Sequence, residues 1–338
     1  MGSDRKWRAR RRFLQGRLAL ASLGLVSGCG IASRFGQQRK APRIGYLTGD
    51  WPGTHHGDES LELGLGELGY AVGETIAIDC RFAEGSQDRL AADALQLVEL
   101  GSDIIVTVGG TTAARAAKAA TSTIPIVIVT AFDPVEDGLV NSLARPGANI
   151  TGLTLVHGEL ARKRMELLRD AVPTLTRVAV LWQAGARASQ SFGDVQDAAQ
   201  KVGLQVQSVE LQGLEDIERG FEAAAIQHAD AFITVSDAIT TSYYRRLAEL
   251  GAQRRLPGMH TQRLFVEAGG LMAYGPNRPD VIRRSAAYID KILKGAKPAD
   301  LPIEQPIVFD FVINLRTARA QGLTIPSSIL QQATETIQ

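Results

Sequence analysis

From Arg43 onward, short apolar runs alternate with longer stretches in which apolar residues recur every three or four positions. The runs read as buried strands and the stretches as amphipathic helices. This pattern predicts strands over Ile44 to Leu47, Thr75 to Phe82, Asp103 to Val108 and Ile124 to Val129. Helices are predicted between them over Asp58 to Leu68, Gln87 to Leu100 and Thr111 to Ala120. Strands that alternate with helices in this way make a parallel sheet covered on both faces.

The same order of landmarks returns one domain later. Arg43-Ile44-Gly45-Tyr46-Leu47 is echoed by Arg177-Val178-Ala179-Val180-Leu181, and Leu68-Gly69-Tyr70-Ala71-Val72 by Val202-Gly203-Leu204-Gln205-Val206. Asp103 to Val108 is echoed by Asp230 to Val235, and Ile124-Pro125-Ile126 by Leu256-Pro257-Gly258. The spacings are 134, 134, 127 and 132 residues. The expected fold class is therefore α/β, with two similar Rossmann-like lobes, each built on a parallel sheet. Open parallel sheets bind ligands at the carboxyl ends of their strands, so two facing lobes make a cleft.

The rest of the chain does not begin a third copy. It reads as a helix from Arg283 to Leu293, a stop at Lys294 to Pro298, a strand from Ile307 to Ile313, and a short helix capped by Asn314 and ended by Gly322. Extra elements after two complete lobes imply a multi-strand hinge. On this reading the first lobe takes residues 42–152 with about 273–305, and the second takes 153–272 with about 306–338.

The first residues read as an address. Seven basic residues between Arg5 and Arg17 precede Leu18 to Val26, an apolar stretch of signal-peptide length and too short to span a bilayer. Val26-Ser27-Gly28-Cys29 resembles a bacterial lipobox, which makes residues 1–29 a signal peptide and Cys29 the lipidated residue. Arg10-Arg11-Arg12-Phe13-Leu14-Gln15 resembles the twin-arginine export signal, with Arg10 and Arg11 as the pair; a general secretory signal with an arginine-rich start is the alternative. Residues 30–41 lack periodicity and read as a tether. An exported protein, periplasmic or on the outer face of the membrane and held there by lipid, is expected.

Composition narrows the function classes. The 37 basic and 36 acidic residues balance only because of the basic N-terminus, so the body is mildly acidic and nucleic acid is not an expected partner. With Cys29 lipidated, Cys80 is the second of only two cysteines, which removes an intramolecular disulfide and a cysteine metal site. His55, His56 and His260 lack the three or four ligands of defined geometry that zinc needs, so no metal is expected. No G-x-S-x-G elbow occurs, and none of the five histidines has a Ser or Cys at a readable catalytic spacing. Neither catalysis nor a cofactor is expected. Gly64-Leu65-Gly66 lies within a helix pattern and reads as close packing rather than a phosphate loop.

The candidate binding residues lie at strand ends. Gly109-Gly110-Thr111-Thr112 joins a buried strand to a helix, where amides and hydroxyls can hold an anion; an N-cap with a glycine turn fits the same residues. Ser236-Asp237 is the matching place in the second lobe, and Asp237 either meets a ligand ammonium or caps the next helix. Trp51, Trp182 and Tyr274 are placed to sandwich an apolar side chain or to pack loop against lobe. Asp133-Pro134 either lines the cleft or forms a turn.

Several long strings resemble the ABC-transporter substrate-binding lipoproteins, whose better understood members bind aromatic amino acids. They are Thr123 to Val127, Asp133-Pro134 with Gly138-Leu139-Val140, Ser142 to Gly152, Lys163 to Leu168, Glu267 to Gly275, Ile292 to Pro302, and Val312 to Leu315 running to Leu323 to Pro326. The resemblance covers nearly everything from Arg43 and implies a type I periplasmic-binding fold. It further implies a small ligand, an amino acid or small carboxylate, together with permease and ATPase subunits as partners. Asp50 to Gly57 and Ser236 to Thr240 depart from the commoner pattern, which leaves the ligand open. A ligand sensor feeding a signalling partner is the second reading of the same scaffold, and an exported hydrolase a third; the repressor version lacks its DNA-binding helices.

Overall fold

A computed structural model describes residues 41–52, 57–155, 158–184 and 186–338. The expected signal peptide with Arg10, Arg11 and Cys29, the tether up to residue 40, and His55 and His56 lie outside the described residues.

The first sheet contains β1 (Arg43–Thr48), β2 (Ala77–Phe82), β3 (Ile104–Val108), β4 (Ile126–Ala131) and β5 (Ile150–Thr154), all parallel, in the order β2-β1-β3-β4-β5. Between them run α1 (Gly57–Glu67), α2 (Gln87–Glu99) and α3 (Thr111–Ala120). Every residue of β3 and β4 is buried, as continuous apolar runs require when helices cover both faces. Ile44 and Tyr46 of β1 pack with Leu61 and Leu65 of α1, whereas Leu47 packs with Leu90 and Leu97 of α2. The period of two along the strand thus divides one sheet between two cores.

The second lobe repeats the plan. It contains α4 (Gly158–Ala171), β6 (Arg177–Gln183), α5 (Ala186–Lys201), β7 (Gln205–Leu211), α6 (Leu214–Ile226) and β8 (Ala231–Thr234). There follow α7 (Ala238–Ser242), α8 (Tyr244–Gln253), β9 (Gly258–His260), α9 (Arg263–Glu267) and β10 (Met272–Pro276). Its parallel strands take the order β7-β6-β8-β9-β10, the same permutation as in the first sheet. Two Rossmann-like α/β lobes with parallel sheets are therefore present, as the sequence repeat predicts.

The chain then crosses back. α10 (Arg278–Leu293) packs on α1 and on β4 and β5 of the first lobe, and Glu304 bridges to Leu153 beside β5. β11 (Phe309–Asn314) returns to the second sheet antiparallel to β10, followed by α11 (Leu315–Ala320), α12 (Ser327–Leu330) and β12 (Glu335–Ile337), which pairs with β11. With the passage from β5 to α4, three segments join the lobes. β10 stays in the second sheet through Pro276, so the second crossing falls between Pro276 and Arg278, a few residues beyond the expected 273.

α10 also starts five residues before the predicted Arg283. Asn277 caps it by accepting from Asp280 N at 2.8 Å, and Pro279 falls in the first turn, where its missing N–H has no helical partner to lose. Ile307 and Val308 lie before β11 rather than in it, and both are exposed.

Candidate functional site

The crossings leave from the carboxyl ends of β5 and β10, so those ends of the two sheets are the ones joined. The lobes also touch there. Gln190 on α5 donates from Nε2 to Glu136 Oε2 at 3.0 Å, in the turn after β4. Several strand ends lie on this joined side. Asp50 and Trp51 follow β1, Gly109 to Thr112 follow β3, and Asp133 to Asp137 follow β4. The second lobe contributes Trp182 and Gln183 at the end of β6, Asp237 after β8, Thr261 and Gln262 after β9, and Tyr274 in β10.

The glycine turn has the backbone that only glycine adopts readily, with φ of 93° at Gly109 and 95° at Gly110. Its amides are already engaged: Gly109 N and Gly110 N both donate to Thr130 Oγ1, at 2.8 and 3.0 Å. The Thr111 hydroxyl donates to Asp137 Oδ2 at 2.8 Å, and Asp137 also pairs with Arg115 at 3.1 Å. Thr112 is exposed at the start of α3. Of the anion-holding groups expected here, the Gly110 amide and the Thr111 hydroxyl thus serve the fold.

Asp237 fills its capping role. Oδ1 accepts from Thr240 N and Oδ2 from Gln183 N, both at 2.8 Å, and Thr240 Oγ1 accepts from Asp237 N at 3.2 Å in a reciprocal box. Burial outweighs these hydrogen bonds and holds the carboxyl above the usual aspartate range. Asp133 makes a turn, with Oδ1 accepting from Val135 N and Glu136 N at 3.0 Å each.

The aromatic candidates separate. Trp182 stacks on Phe192 with centroids 5.0 Å apart and donates from Nε1 to Ser208 Oγ at 2.9 Å. Tyr274 stacks on Phe309 and meets Phe311 edge-on, centroids 6.1 and 6.2 Å away. Both belong to the core beneath β6 and β10. Trp51 is 52% exposed. The structure therefore gathers Gly109, Gly110, Thr111 and Asp137 in one lobe and Trp182, Gln183 and Asp237 in the other, with Tyr274 at the crossing.

Two arginines near the crossings escaped the reading of the sequence. Arg278, first residue of α10, reaches Asp50 Oδ2 from Nη2 at 3.9 Å, and its Nε is buried without a hydrogen bond. Arg164 on α4 is only 5% exposed. Its Nε donates to Tyr274 O at 2.6 Å, and among the described residues no carboxylate pairs with it. Burial lowers its pKa to about 10, which leaves it charged at neutral pH. An unpaired buried guanidinium is costly, and such groups concentrate where they have work to do. A signal was present: Ala161, Met165 and Leu168 mark the buried face of α4, and Arg164 falls on that face at helical spacing.

The nearby His260 is fully buried between Phe232 and Phe265. Burial alone drives its pKa down to about 3. Among the described residues, no three histidine, cysteine or acidic side chains gather as metal ligands.

Similarity to known proteins converges on one group. Residues 51–337 match the family model of the ABC transporter substrate binding protein. A tyrosine-binding protein of Clostridioides difficile strain R20291 is 24% identical over 257 residues, covering 76% of this chain and 73% of that protein. A conserved domain protein from Vibrio cholerae superposes with a TM-score of 0.81 at 26% identity, over 88% of this chain and all of that one. An ABC domain from Streptococcus pneumoniae in complex with L-Trp superposes with a TM-score of 0.78 at 27% identity, over 87% of this chain and all of that one. The match spans both lobes and every crossing, and this chain belongs to the ABC transporter substrate-binding protein family.

Proposed function

We propose that this substrate-binding protein takes an amino acid, with an aromatic side chain as the first class to test, into the cleft between its lobes. Hinge closure traps the ligand, and the closed form hands it to a permease driven by an ATPase. Proteins of this kind work outside the cytoplasm and are not an enzyme class. One observation carries the reading: two sheets whose five parallel strands share one order have their ligand-side ends joined by three crossing segments and already in contact through Gln190 and Glu136. The tyrosine-binding relative and the L-Trp complex direct the choice of ligand.

In this reading Gly110, Thr111, Thr112, Trp51 and Asp133 belong to the first lobe's wall, and Trp182, Asp237 and Tyr274 to the second's. Most of them act by shaping loops rather than by offering free polar groups. Export by the Arg10-Arg11 signal and lipidation at Cys29 complete the proposal. Cys29→Ala should then move the protein from the membrane fraction to the soluble exported fraction.

Thermal unfolding of the protein against the common amino acids, small carboxylates and sugars tests the ligand class. A ligand at a hundred times its dissociation constant adds about 2.7 kcal/mol, a readable shift. L-Tyrosine or L-tryptophan should raise the transition. If only sugars raise it, the amino-acid reading is wrong.

A further inference from the structure

The carboxyl ends of β9 and β10 hold several buried polar groups that the fold does not use. Thr261 and Gln262 are each 7% exposed. Thr261 Oγ1 and both amide atoms of Gln262 are buried with no hydrogen-bond partner in the protein. Gln262 stands at the N-cap of α9, yet its side chain makes no capping bond. Arg164 reaches the same place from α4. A Cβ at Gly275 would lie 2.1 Å from Thr261 O and 3.6 Å from Arg164 Nη2, so the bare glycine lets the strand, the Thr261 backbone and the guanidinium come together.

We infer that Arg164, with Thr261 and Gln262, forms a subsite in the second lobe that receives the carboxylate of the bound ligand, an inference that rests on the amino-acid reading above. Two features separate this from a brace for β10. The brace is the single bond from Nε to Tyr274 O, which a neutral amide can supply, whereas the charge and the remaining N–H groups are surplus to it. A guanidinium also presents paired donors in the spacing of a carboxylate's two oxygens, and a carboxylate supplies the counter-charge that the protein withholds. The ligand's acid group would thus be held beside the crossing strands. The glycine turn of the first lobe, whose amides already bond Thr130, would not be its main anchor.

Isothermal titration of the protein with L-tryptophan and L-tyrosine, and with their carboxamides, tests the subsite. The acids should bind at least about thirtyfold more tightly than the amides in the wild type, and Arg164→Gln should erase that preference. Removing a lone buried charge should leave the ligand-free melting temperature of Arg164→Gln unchanged or raised. Equal binding of acid and amide by the wild type would overturn the subsite yet leave the amino-acid reading standing. So would an acid preference that survives in Arg164→Gln. If indole-3-acetate binds through Arg164 while no amino acid binds, the subsite holds and the amino-acid reading fails. Binding of neutral sugars alone sinks both. The wild-type comparison of acid with amide can overturn the subsite even if the variant does not fold.

Discussion

His260 is held neutral by its surroundings. It is stacked on Phe265 at 4.5 Å and fully buried, and its pKa falls to about 3 from an ordinary 6.5. Below pH 6.5 the unfolded chain takes up a proton that the folded chain refuses until about pH 3. The unfolded state therefore binds more protons in that window, and stability falls as pH falls, by about 1 kcal/mol per pH unit for this one group. The urea midpoint should drop between pH 7 and pH 5, and His260→Met should lessen the drop; an equal drop in the variant would place the acid sensitivity elsewhere. Asp237 makes a second case. Asp237→Ala strands the N–H groups of Thr240 and Gln183 and should cost about 1–2 kcal/mol in chemical denaturation. Asp237→Asn should cost nearly as much, because an amide has one accepting oxygen where the carboxylate uses two. Unchanged stability in both would show that the cap is dispensable. The sequence places Asp237 at a strand end but leaves ammonium partner and cap both open. The cap bond itself is local, from Thr240 N three residues on; the second bond, from Gln183 N 54 positions away in the chain, is the part the sequence does not show. Arg164 was hidden for a related reason: helical periodicity marks it as facing inward, but only the packed structure shows that no carboxylate among the described residues pairs with it.

At the level of elements, Gly64 and Gly66 on α1 look alike in sequence and differ in space. A Cβ at Gly64 would lie 2.2 Å from the Arg283 carbonyl oxygen and 3.0 Å from Ala286 Cβ, whereas one at Gly66 would meet nothing within 4 Å. Gly64 is what allows α1 to lie backbone to backbone against α10. Gly64→Ala should destabilise by roughly 1–3 kcal/mol despite the better helix propensity of alanine. Gly66→Ala should stabilise by up to about 1 kcal/mol. Calorimetric transitions that shift the same way in both variants would contradict this account of the packing. The sequence reading recognised close packing at this motif without knowing the partner, since α10 lies more than two hundred residues further along. Elements set by local pattern were legible: α3 runs from Thr111 to Ala120 as predicted. Those set by distant partners were not. Pro279 reads as a helix breaker until the Asn277 cap makes it a first-turn residue, and the alternating run that starts at Ile307 reads as strand although pairing with β10 begins only at Phe309.

At the scale of the whole molecule, acidic groups stand near one another where the lobes touch. Asp194, on the same helix as Gln190, is half-buried, and burial, then Asp197, then Glu136 of the opposite lobe hold its pKa above the usual range. Opening the hinge carries Glu136 away from Asp194, so the smallest of the three contributions belongs to the closed form, while Asp197, on the same helix, acts in both. The closed form then binds more protons than the open one at pH values just above the ordinary aspartate range, and by linkage a ligand that binds the closed form binds more tightly as pH falls into that window. The effect of one partly solvated pair is modest, roughly two- to fivefold in affinity between pH 7 and pH 5. Asp194→Asn removes the repulsion permanently. It should bind more tightly than wild type at pH 7 and show little change toward pH 5, whereas Gln190→Ala, which loses the neutral contact but keeps both charges, should bind more weakly at pH 7 and retain the pH trend. Titrations of the wild type and the two variants at both pH values separate these contributions. Affinity that weakens on acidification in the wild type, or an unchanged trend in Asp194→Asn, would mean that the lobes do not meet at Glu136 when the ligand is bound.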